Sequence, residues 1–121
     1  MARSFLPVSS LQSPRFSGAA TFMRLPLLDP ASDDLGDVHV GLIGVPWDGG
    51  TTNRPGARHG PRQLRDLSTM IRRLHPVTGF DPFGSFNCAD LGDVPVNPAD
   101  LQDTLQRITA FYEPIAERGI L

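Results

Sequence analysis

The sequence has few of the residues that build disulfides, membrane spans or nucleic-acid interfaces. It contains one cysteine, Cys88, so no disulfide can form within the chain, which is typical of proteins from reducing compartments. It has no lysine, and its 11 basic residues, all arginine, are outnumbered by 13 acidic ones. The net charge of −2 does not favour nucleic acid or an anionic membrane as a partner. No apolar run approaches the length of a membrane span, so no membrane anchor is predicted.

A strand, a glycine-rich loop and a helix are predicted in succession near the middle of the chain. Residues 39–45 are apolar and β-branched without polar alternation, which is typical of a strand covered on both faces. Residues 46–60 contain four glycines and two prolines and are predicted to form a tightly folded loop. The helix begins at Pro61, whose missing N–H costs nothing in a first helical turn. An apolar stripe at helical spacing consists of Leu64, Leu67, Ile71 and Leu74.

The loop over residues 46–60 is the predicted functional surface. Ligands of open α/β sheets gather at the carboxyl ends of the strands, which is where this loop begins. It is not a phosphate-binding loop, because the GGTT run has no lysine where a P-loop needs one. Gly41 and Gly44 lie within the predicted strand, so they do not make a G-x-G-x-x-G turn.

The second half of the sequence repeats the pattern of strand and helix. Residues 75–85 are rich in proline and glycine and are predicted to form a surface loop. A short strand is predicted over residues 86–89, ending at Asp90. Asn97 is a good N-cap and Pro98 a good first residue for the following helix. The apolar stripe of that helix consists of Leu101, Leu105, Ile108, Tyr112 and Ile115.

The last residues carry signals for the end of this helix and for a further strand. Pro114 lacks an N–H and crowds the preceding turn, so it is expected to kink or shorten the helix. Gly119 is the predicted stop, and Ile120 is predicted to begin a third strand. Strands joined by helical crossovers imply a parallel sheet, so the predicted fold class is α/β. Because two strands cannot cover both helices, we expect the sequence to be a piece of a longer protein.

The N-terminal residues 1–37 are predicted to form an arm and a linker ahead of an incomplete α/β domain at residues 38–121. Residues 1–13 are expected to be disordered. Residues 15–28 form an apolar arm, which is expected to pack either on its own body or on a neighbouring subunit. Residues 29–37 are acidic and contain proline and glycine, which is typical of a linker.

The cellular compartment is predicted from the same N-terminal residues. The first 28 residues contain arginine and serine but no acidic residue, a composition faintly similar to that of a mitochondrial transit peptide. Pro7 and Pro14 would interrupt the amphipathic helix that such a peptide needs. No secretory signal is visible, so the cytoplasm is predicted, with the mitochondrion as the minor alternative.

One long segment of the sequence resembles a known family. The run GVPWDGGTTNRPGARHGPRQLR, with FMRLP before it and DLGDVPVNP after it, resembles the N-terminal part of agmatinase-type ureohydrolases. This group of the arginase/agmatinase superfamily includes agmatinases, guanidinobutyrases and guanidinopropionases. The resemblance covers residues 14–121 in register and implies the three-layer α/β/α parallel-sheet fold of arginases and deacetylases. On this comparison the sequence reaches only the start of the third strand.

The resemblance also implies an activity and a cofactor. The family hydrolyses the guanidino group of agmatine or of a guanidino acid to urea and an amine, using two bridged manganese ions. Its metal-binding runs, G-G-D-H, D-A-H-x-D and S-x-D-x-D-x-x-D-P, do not occur in this sequence. We therefore assign no catalytic residue and no metal ligand to this chain, and expect it to be inactive alone. The family implies a homo-oligomer, here through the N-terminal arm. The alternative is a non-catalytic binding or assembly module that docks on a full-length relative.

Five residues of the loop are predicted to contact a substrate, all in the segment that carries the resemblance. One hypothesis is that an arginine of the loop holds the carboxylate of a guanidino acid such as guanidinobutyrate, whereas the ammonium of agmatine would be repelled. The alternative is that Asp48, Asp66 or Asp93 supplies the counter-charge and the arginines only pin the loop. The predicted contact residues are Trp47, Asn53, Arg54, Arg58 and His59.

Two further groups have both a functional and a structural interpretation. Asp90 and Asp93 flank a turn and could form a cation site, but a structural role, with Asp90 capping the turn and Asp93 pairing with an arginine, is favoured. Cys88 lies on a buried strand and is predicted to be an inert core thiol. The three histidines do not have the spacing of metal ligands.

Overall fold

Two parallel strands lie at the centre of the computed structural model, which describes residues 3–121. Strand β1 is Val40–Gly44 and strand β2 is Cys88–Asp93. Val40 lies opposite Cys88, and the register shifts after Leu42 so that Gly44 lies opposite Asp93. The parallel pairing confirms the predicted fold class. β2 begins two residues later and ends four residues later than the strand predicted at residues 86–89. It continues through Asp90 because Arg65 pairs with this buried carboxylate, so its charge need not end the strand.

Helix α1, Gly60–Ser68, follows the loop after β1 and begins one residue before the predicted Pro61. The prediction that it continues to Leu74 is wrong. The Ser68 hydroxyl donates to the carbonyl of Arg65 and accepts the Met23 N–H, and the Thr69 hydroxyl donates to the carbonyl of Asp66. Hydroxyl groups that bond the backbone in this way compete with the helical ladder. The predicted stripe is not buried: four large apolar side chains are each more than half exposed, namely Leu64, Leu67, Ile71 and Leu74.

A one-turn helix, α2, Pro82–Ser85, interrupts the surface loop predicted at residues 75–85. The Asp81 carboxylate caps it by accepting the Gly84 N–H at 3.0 Å. Phe83 is buried, which anchors the turn against the body of the protein. The loop prediction therefore missed a short ordered element.

Helix α3, Leu101–Ala116, is capped by Asp100, whose carboxylate accepts the Asp103 N–H at 3.0 Å. The prediction of Asn97 as N-cap is wrong, because the Asn97 side-chain carbonyl accepts the Ala99 N–H and its backbone N–H bonds the Thr104 hydroxyl. The helix continues past Pro114 and ends at Ala116. Within residues 3–121, no helix combines the length and the apolar composition that crossing a membrane requires.

Only part of the predicted apolar stripe of α3 faces the core. Ile115 is buried, and Phe111 packs against the same cluster. Leu101, Leu105 and Tyr112 are instead exposed. The core face of α3 is therefore rotated relative to the predicted stripe.

The N-terminal arm contributes to the main core. Phe5 is buried, so the expectation of disorder over residues 1–13 is wrong for its described part. Burying this aromatic ring removes apolar area from water and so favours an ordered position for Phe5. Residues 1–2 lie outside the described part of the chain. The main core consists of Phe5, Leu28, Leu35, Val38, Ala89, Leu91 and Ile115.

Further backbone bonds flank the two-stranded sheet on both sides. On the β2 side, the Leu28 N–H donates to the carbonyl of Asp90, and the Asp90 N–H donates to that of Pro26, as in a parallel bridge. The arm therefore packs on its own body here, while Phe16 stays exposed. On the β1 side, the Leu121 N–H donates to the carbonyl of His39, and the Gly41 N–H donates to that of Leu121. These bonds agree with the strand predicted from Ile120.

Candidate functional site

The carboxyl ends of the two strands meet the start of α1 at a closely packed edge. A Cβ atom on Gly44 would overlap Oδ1 of Asp93 and lie 2.7 Å from Cβ of Pro61, so only glycine fits there. The Val94 N–H donates to the carbonyl of Gly44 at 2.9 Å, which joins the segments that leave β1 and β2. The loop over residues 46–59 begins at this edge.

A single carboxylate closes this loop at its base. The Asp48 carboxylate accepts the Gly56 N–H at 2.7 Å and the Arg58 N–H at 3.3 Å. Its other oxygen accepts Nε–H of Arg58 at 2.7 Å. The Asp48 side chain is 1% exposed and that of Arg58 is 49% exposed. We call this group of Asp48, Gly56 and Arg58 the loop latch.

The charge of the loop latch is stable at neutral pH. The hydrogen bond from the Arg58 guanidinium holds the pKa of Asp48 below its usual value. Burial acts in the opposite direction, and the N–H groups of Gly56 and Arg58 add to the lowering. Asp48 is therefore ionised at neutral pH, and its two oxygens act only as acceptors.

A second arginine–carboxylate group lies between α1 and β2. Arg65 donates from Nε and Nη2 to the two oxygens of Asp90 at 2.7 and 2.9 Å, and from Nη1 to Asp93 at 2.6 Å. The Asp90 carboxylate also accepts the N–H groups of Phe22 and Gly92, each at 2.9 Å. We call the group of Arg65, Asp90 and Asp93 the strand joint. It confirms the structural interpretation, in which Asp90 caps the turn and Asp93 pairs with an arginine.

The strand joint is far more enclosed than the loop latch. The side chain of Arg65 is 12% exposed and that of Asp90 is 0% exposed. The Phe22 ring covers the guanidinium, with its centroid 4.2 Å from Cζ of Arg65. Burial raises the pKa of Asp90, but hydrogen bonds from Arg65, Phe22 and Gly92 outweigh it and leave the pKa lowered. The hydrogen bond to Asp90 raises the pKa of Arg65, so both partners stay charged.

Comparison with known proteins assigns the family. The model of the Arginase family matches residues 38–121. This chain belongs to the arginase family. It is 53% identical over 116 residues to guanidinopropionase of Pseudomonas aeruginosa, a match that covers 95% of this chain and 35% of the relative. It is 41% identical over 118 residues to the mitochondrial agmatinase of Gallus gallus, covering 98% of this chain and 34% of that protein. The chain therefore spans about a third of the length of these curated relatives.

Solved structures confirm the predicted fold. Proclavaminate amidino hydrolase from Streptomyces clavuligerus superposes with a TM-score of 0.77 at 36% identity, covering 87% of this chain and 34% of that chain. A hypothetical agmatinase from Burkholderia thailandensis gives a TM-score of 0.77 at 32% identity, covering 88% of this chain and 32% of that one. The resemblance to agmatinase-type members of the arginase family is thus confirmed.

In this arginase-family chain, the five predicted contact residues have three different surroundings. Arg58 belongs to the loop latch, so the alternative in which Asp48 supplies the counter-charge holds for Arg58. Asn53, Arg54 and His59 are exposed, and none of the ion pairs formed within residues 3–121 involves Arg54 or His59. Trp47 is partly buried.

Trp47 packs within its own loop. The backbone N–H of Trp47 donates to the backbone carbonyl of Val45 at 2.8 Å, which makes a tight turn directly after β1. A Cβ atom on Gly49 would overlap the indole ring of Trp47, so the ring packs directly against the glycine. Trp47 therefore shapes the start of the loop.

The donor set of the described residues does not fit a two-manganese centre. No group of three or more histidine, cysteine, aspartate or glutamate side chains in residues 3–121 could hold a metal ion. His39 already accepts the Asn87 N–H at 3.0 Å, and His75 accepts the Thr78 N–H at 3.2 Å. Cys88 is buried, and burial raises the pKa of its thiol, which supports the interpretation as an inert core residue. No metal-dependent step is assigned to these residues.

Sequence reasoning missed Arg65, the residue that links α1 to β2. The available signal was Asp90, a carboxylate inside an otherwise apolar strand. A buried charge of this kind requires a partner or must lose its charge. That argument predicts an arginine against Asp90 but does not choose among the 11 arginines of the chain.

Proposed function

We propose that these residues belong to a manganese-dependent ureohydrolase that hydrolyses the guanidino group of agmatine or of a guanidino acid to urea and an amine. The observation that carries the proposal is the arginase-family match over residues 38–121. The names of the relatives, which include guanidinopropionase and guanidinobutyrase, support the guanidino group as the reacting centre. In the reaction, water adds to the guanidino carbon and the bond from that carbon to the substituted nitrogen breaks.

The proposed role of this chain is to form one wall of the substrate site. Ligands of parallel α/β sheets bind beyond the carboxyl ends of the strands, where the loop latch holds residues 49–55. Trp47, Asn53, Arg54 and His59 are the proposed substrate contacts, and Arg58 is proposed to hold the loop in shape. The two manganese ions and the catalytic residues are proposed to be held by residues outside this sequence.

The organisation of the protein is also a proposal. We retain the division into an arm and linker at residues 1–37 and the first part of the α/β domain at residues 38–121. The side chains of Leu11, Phe16 and Leu27 are exposed and could contact a second subunit, which supports homo-oligomerisation through the arm. The proposed location is the cytoplasm. The mitochondrion is the minor alternative, and four relatives are named mitochondrial proteins.

Urea release tests the proposed activity. The gene product that contains these residues and the isolated polypeptide 1–121 are assayed side by side, with manganese and with a chelator. The substrates are agmatine, 4-guanidinobutyrate and 3-guanidinopropionate. We expect manganese-dependent urea from the gene product and none from residues 1–121 alone, because the donor set here does not fit a metal centre. A manganese-loaded gene product that releases no urea from any of the three compounds contradicts the proposal.

A second candidate function is a non-catalytic module that docks on a full-length relative. The apolar row on and after α1 supports it, because Leu64, Leu67, Met70 and Ile71 are each more than half exposed. Co-expression of residues 1–121 with the guanidinopropionase of Pseudomonas aeruginosa tests this candidate. A stable complex that dissociates when Leu67 is changed to Glu supports docking, and two separate species contradict it.

A further inference from the structure

Two residues of the N-terminal arm have a backbone conformation that residues with side chains rarely adopt. Met23 and Arg24 have φ values of 52° and 60°, in the left-handed region that favours glycine. Because neither is a glycine, this conformation costs free energy and persists only where the surroundings hold it. We call residues 21–25, which contain this pair, the arm clip.

The arm clip is closed by hydrogen bonds between its own residues. The Arg24 N–H donates to the carbonyl of Thr21 at 3.2 Å, and the Leu25 N–H donates to that of Phe22 at 3.0 Å. The Thr21 hydroxyl donates to the carbonyl of Leu25 at 2.7 Å. The Leu25 side chain is buried, so the end of the clip is anchored in the interior.

Two consecutive backbone N–H groups attach the arm clip to two different elements of the α/β domain. The Phe22 N–H donates to the carboxylate of Asp90 in β2 at 2.9 Å. The Met23 N–H donates to the hydroxyl of Ser68, the last residue of α1, at 2.8 Å. These bonds to α1 and β2 hold the strained backbone in place.

The Phe22 side chain extends this attachment to the strand joint. Its ring lies over the guanidinium of Arg65, whose N–H groups are directed at Asp90 and Asp93. A planar guanidinium that is covered on one face and bonded along its edge cannot rotate without losing both contacts. Phe22 therefore fixes the plane in which Arg65 holds Asp93.

Asp93 connects the strand joint to the beginning of the loop after β1. Its carboxylate accepts Nη1–H of Arg65 at 2.6 Å and packs so closely on Gly44 that an added Cβ would overlap it. The next residue, Val94, donates its N–H to the carbonyl of Gly44 at 2.9 Å. Because the loop starts two residues after Gly44, Asp93 and Val94 set the place from which it leaves the sheet.

We propose that the arm clip positions the loop after β1, with Phe22 as a positioning residue that acts through Arg65 and Asp93. Each contact in this series joins two residues within 3–121, so none depends on residues outside this sequence. The inference rests on the proposed function, in which the loop forms one wall of the substrate site. It deepens that function by adding the arm to the parts of the chain that shape this wall, whichever guanidino compound is the substrate.

Amide hydrogen exchange in the substrate-free gene product that contains these residues tests the proposal. The N–H groups of Thr51 and Gly56, each bound to Asp48, report on the loop, and the amides of α3 are the internal reference. We expect Phe22→Leu to speed exchange in the loop by about threefold or more relative to α3. Phe22→Tyr, which keeps an aromatic face over Arg65, is expected to stay within about twofold of wild type.

A second pair of variants tests the attachment of the arm clip without changing the residues of the clip. Ser68→Ala removes the acceptor of the Met23 N–H, so we expect faster exchange at Met23 and, by about twofold or more, in the loop. The matched control is Thr69→Val. The Thr69 hydroxyl bonds the carbonyl of Asp66 just as Ser68 bonds that of Arg65, but within residues 3–121 it accepts no N–H of the arm. We expect the control to leave exchange in the loop unchanged.

Three results of these exchange measurements would overturn the proposal. The first is wild-type exchange in the loop of both Phe22→Leu and Ser68→Ala. The second is an equal acceleration of the loop and of α3 in Phe22→Leu, which would mean that the substitution only lowers global stability. The third is a Thr69→Val variant that speeds exchange in the loop as much as Ser68→Ala does.

Kinetic measurements separate failure of this inference from failure of the proposed function. A manganese-loaded wild type that releases no urea overturns the proposed function, whereas the exchange comparison needs no substrate and still decides whether the clip positions the loop. With an active wild type, we expect Phe22→Leu to raise KM about threefold and to keep kcat within about twofold, because a displaced wall weakens substrate binding more than chemistry. A wild-type KM in a variant whose loop exchanges faster overturns the positioning role.

Discussion

The loop latch and the strand joint use the same pair of residue types in two different settings. In each, Nε of an arginine lies 2.7 Å from an aspartate oxygen. The arginine of the loop latch is 49% exposed, whereas that of the strand joint is 12% exposed. The loop latch joins residues 10 positions apart, but the strand joint connects Asp90 to Phe22, 68 positions away.

The difference indicates two roles for one chemical interaction. The strand joint connects the arm, α1 and β2, and every oxygen of Asp90 has partners. Breaking such a buried group leaves an uncompensated charge, so it should govern stability. The loop latch holds one exposed loop, so it should govern the shape of a surface more than the stability of the fold.

Removing the arginine of the strand joint is expected to have the largest effect. Arg65→Gln leaves the buried carboxylate of Asp90 without a cation, which costs about 3–5 kcal/mol of unfolding free energy. Chemical denaturation of the gene product measures the loss. Arg62→Gln, on the same helix but exposed, is the control and is expected to stay within about 0.5 kcal/mol of wild type. Equal stabilities of the two variants contradict the role of the joint.

Acid is expected to weaken both groups. The folded-state pKa values of Asp48 and Asp90 lie below their usual value, so each contributes stability above the unfolded pKa of about 3.9 and loses it as the pH falls through the folded value. Urea midpoints measured from pH 7 to pH 2 should therefore be flat down to about pH 5 and then fall. In Arg65→Gln this fall should be smaller. A urea midpoint that rises as the pH falls below 4 would contradict the predicted loss of stability in acid.

A substitution at the packed edge where β1, β2 and α1 meet is expected to lower stability less than Arg65→Gln does. Gly44→Ala places a methyl group against Asp93 and Pro61, and overpacking of this kind costs about 1–3 kcal/mol. Gly50→Ala is the matched control, because no atom lies within 4 Å of the place that its added Cβ would occupy. Thermal unfolding should separate the two variants by several degrees. Indistinguishable midpoints would mean that this edge can relax.

Breaking the loop latch is expected to have the smallest effect on stability and a larger one on substrate use. Asp48→Asn removes the charge that holds Arg58 and weakens the bond to the Gly56 N–H. We expect a higher KM for guanidino acids with a lowering of the unfolding temperature smaller than that in Arg65→Gln. Asp66→Asn, a carboxylate of α1 outside both groups, is the control. A KM unchanged from wild type would show that the latch does not shape the substrate contacts.

The sequence predicts those parts of the fold that depend on nearby residues. β1, the loop and the start of α1 follow from apolar runs, glycines and Pro61 within one short segment. The end of α1 was missed because Ser68 bonds Met23, 45 residues away. The N-cap of α3 was missed because Asn97 and Asp100 are both good caps and the contact with Thr104 selects between them. The burial of Phe5 was missed because its partners in the core lie far along the chain.

Of the candidate site, the sequence predicts the loop but not its internal division. Arg54 and Arg58 are the same residue type and lie in the same motif, so the sequence does not distinguish their roles. Only the fold places Asp48 against Arg58 and leaves Arg54 exposed. The separation into a holding arginine and a free arginine is therefore a property of the three-dimensional structure.

Hydrogen exchange in the gene product, with and without 4-guanidinobutyrate, tests most directly whether the loop faces substrate. Amides of residues 49–58 report on the loop, and those of β2 serve as the internal reference. We expect slower exchange across residues 49–58 when the guanidino acid is bound, with β2 unchanged. Bound substrate that leaves the exchange of residues 49–58 unaltered would contradict a substrate-facing loop.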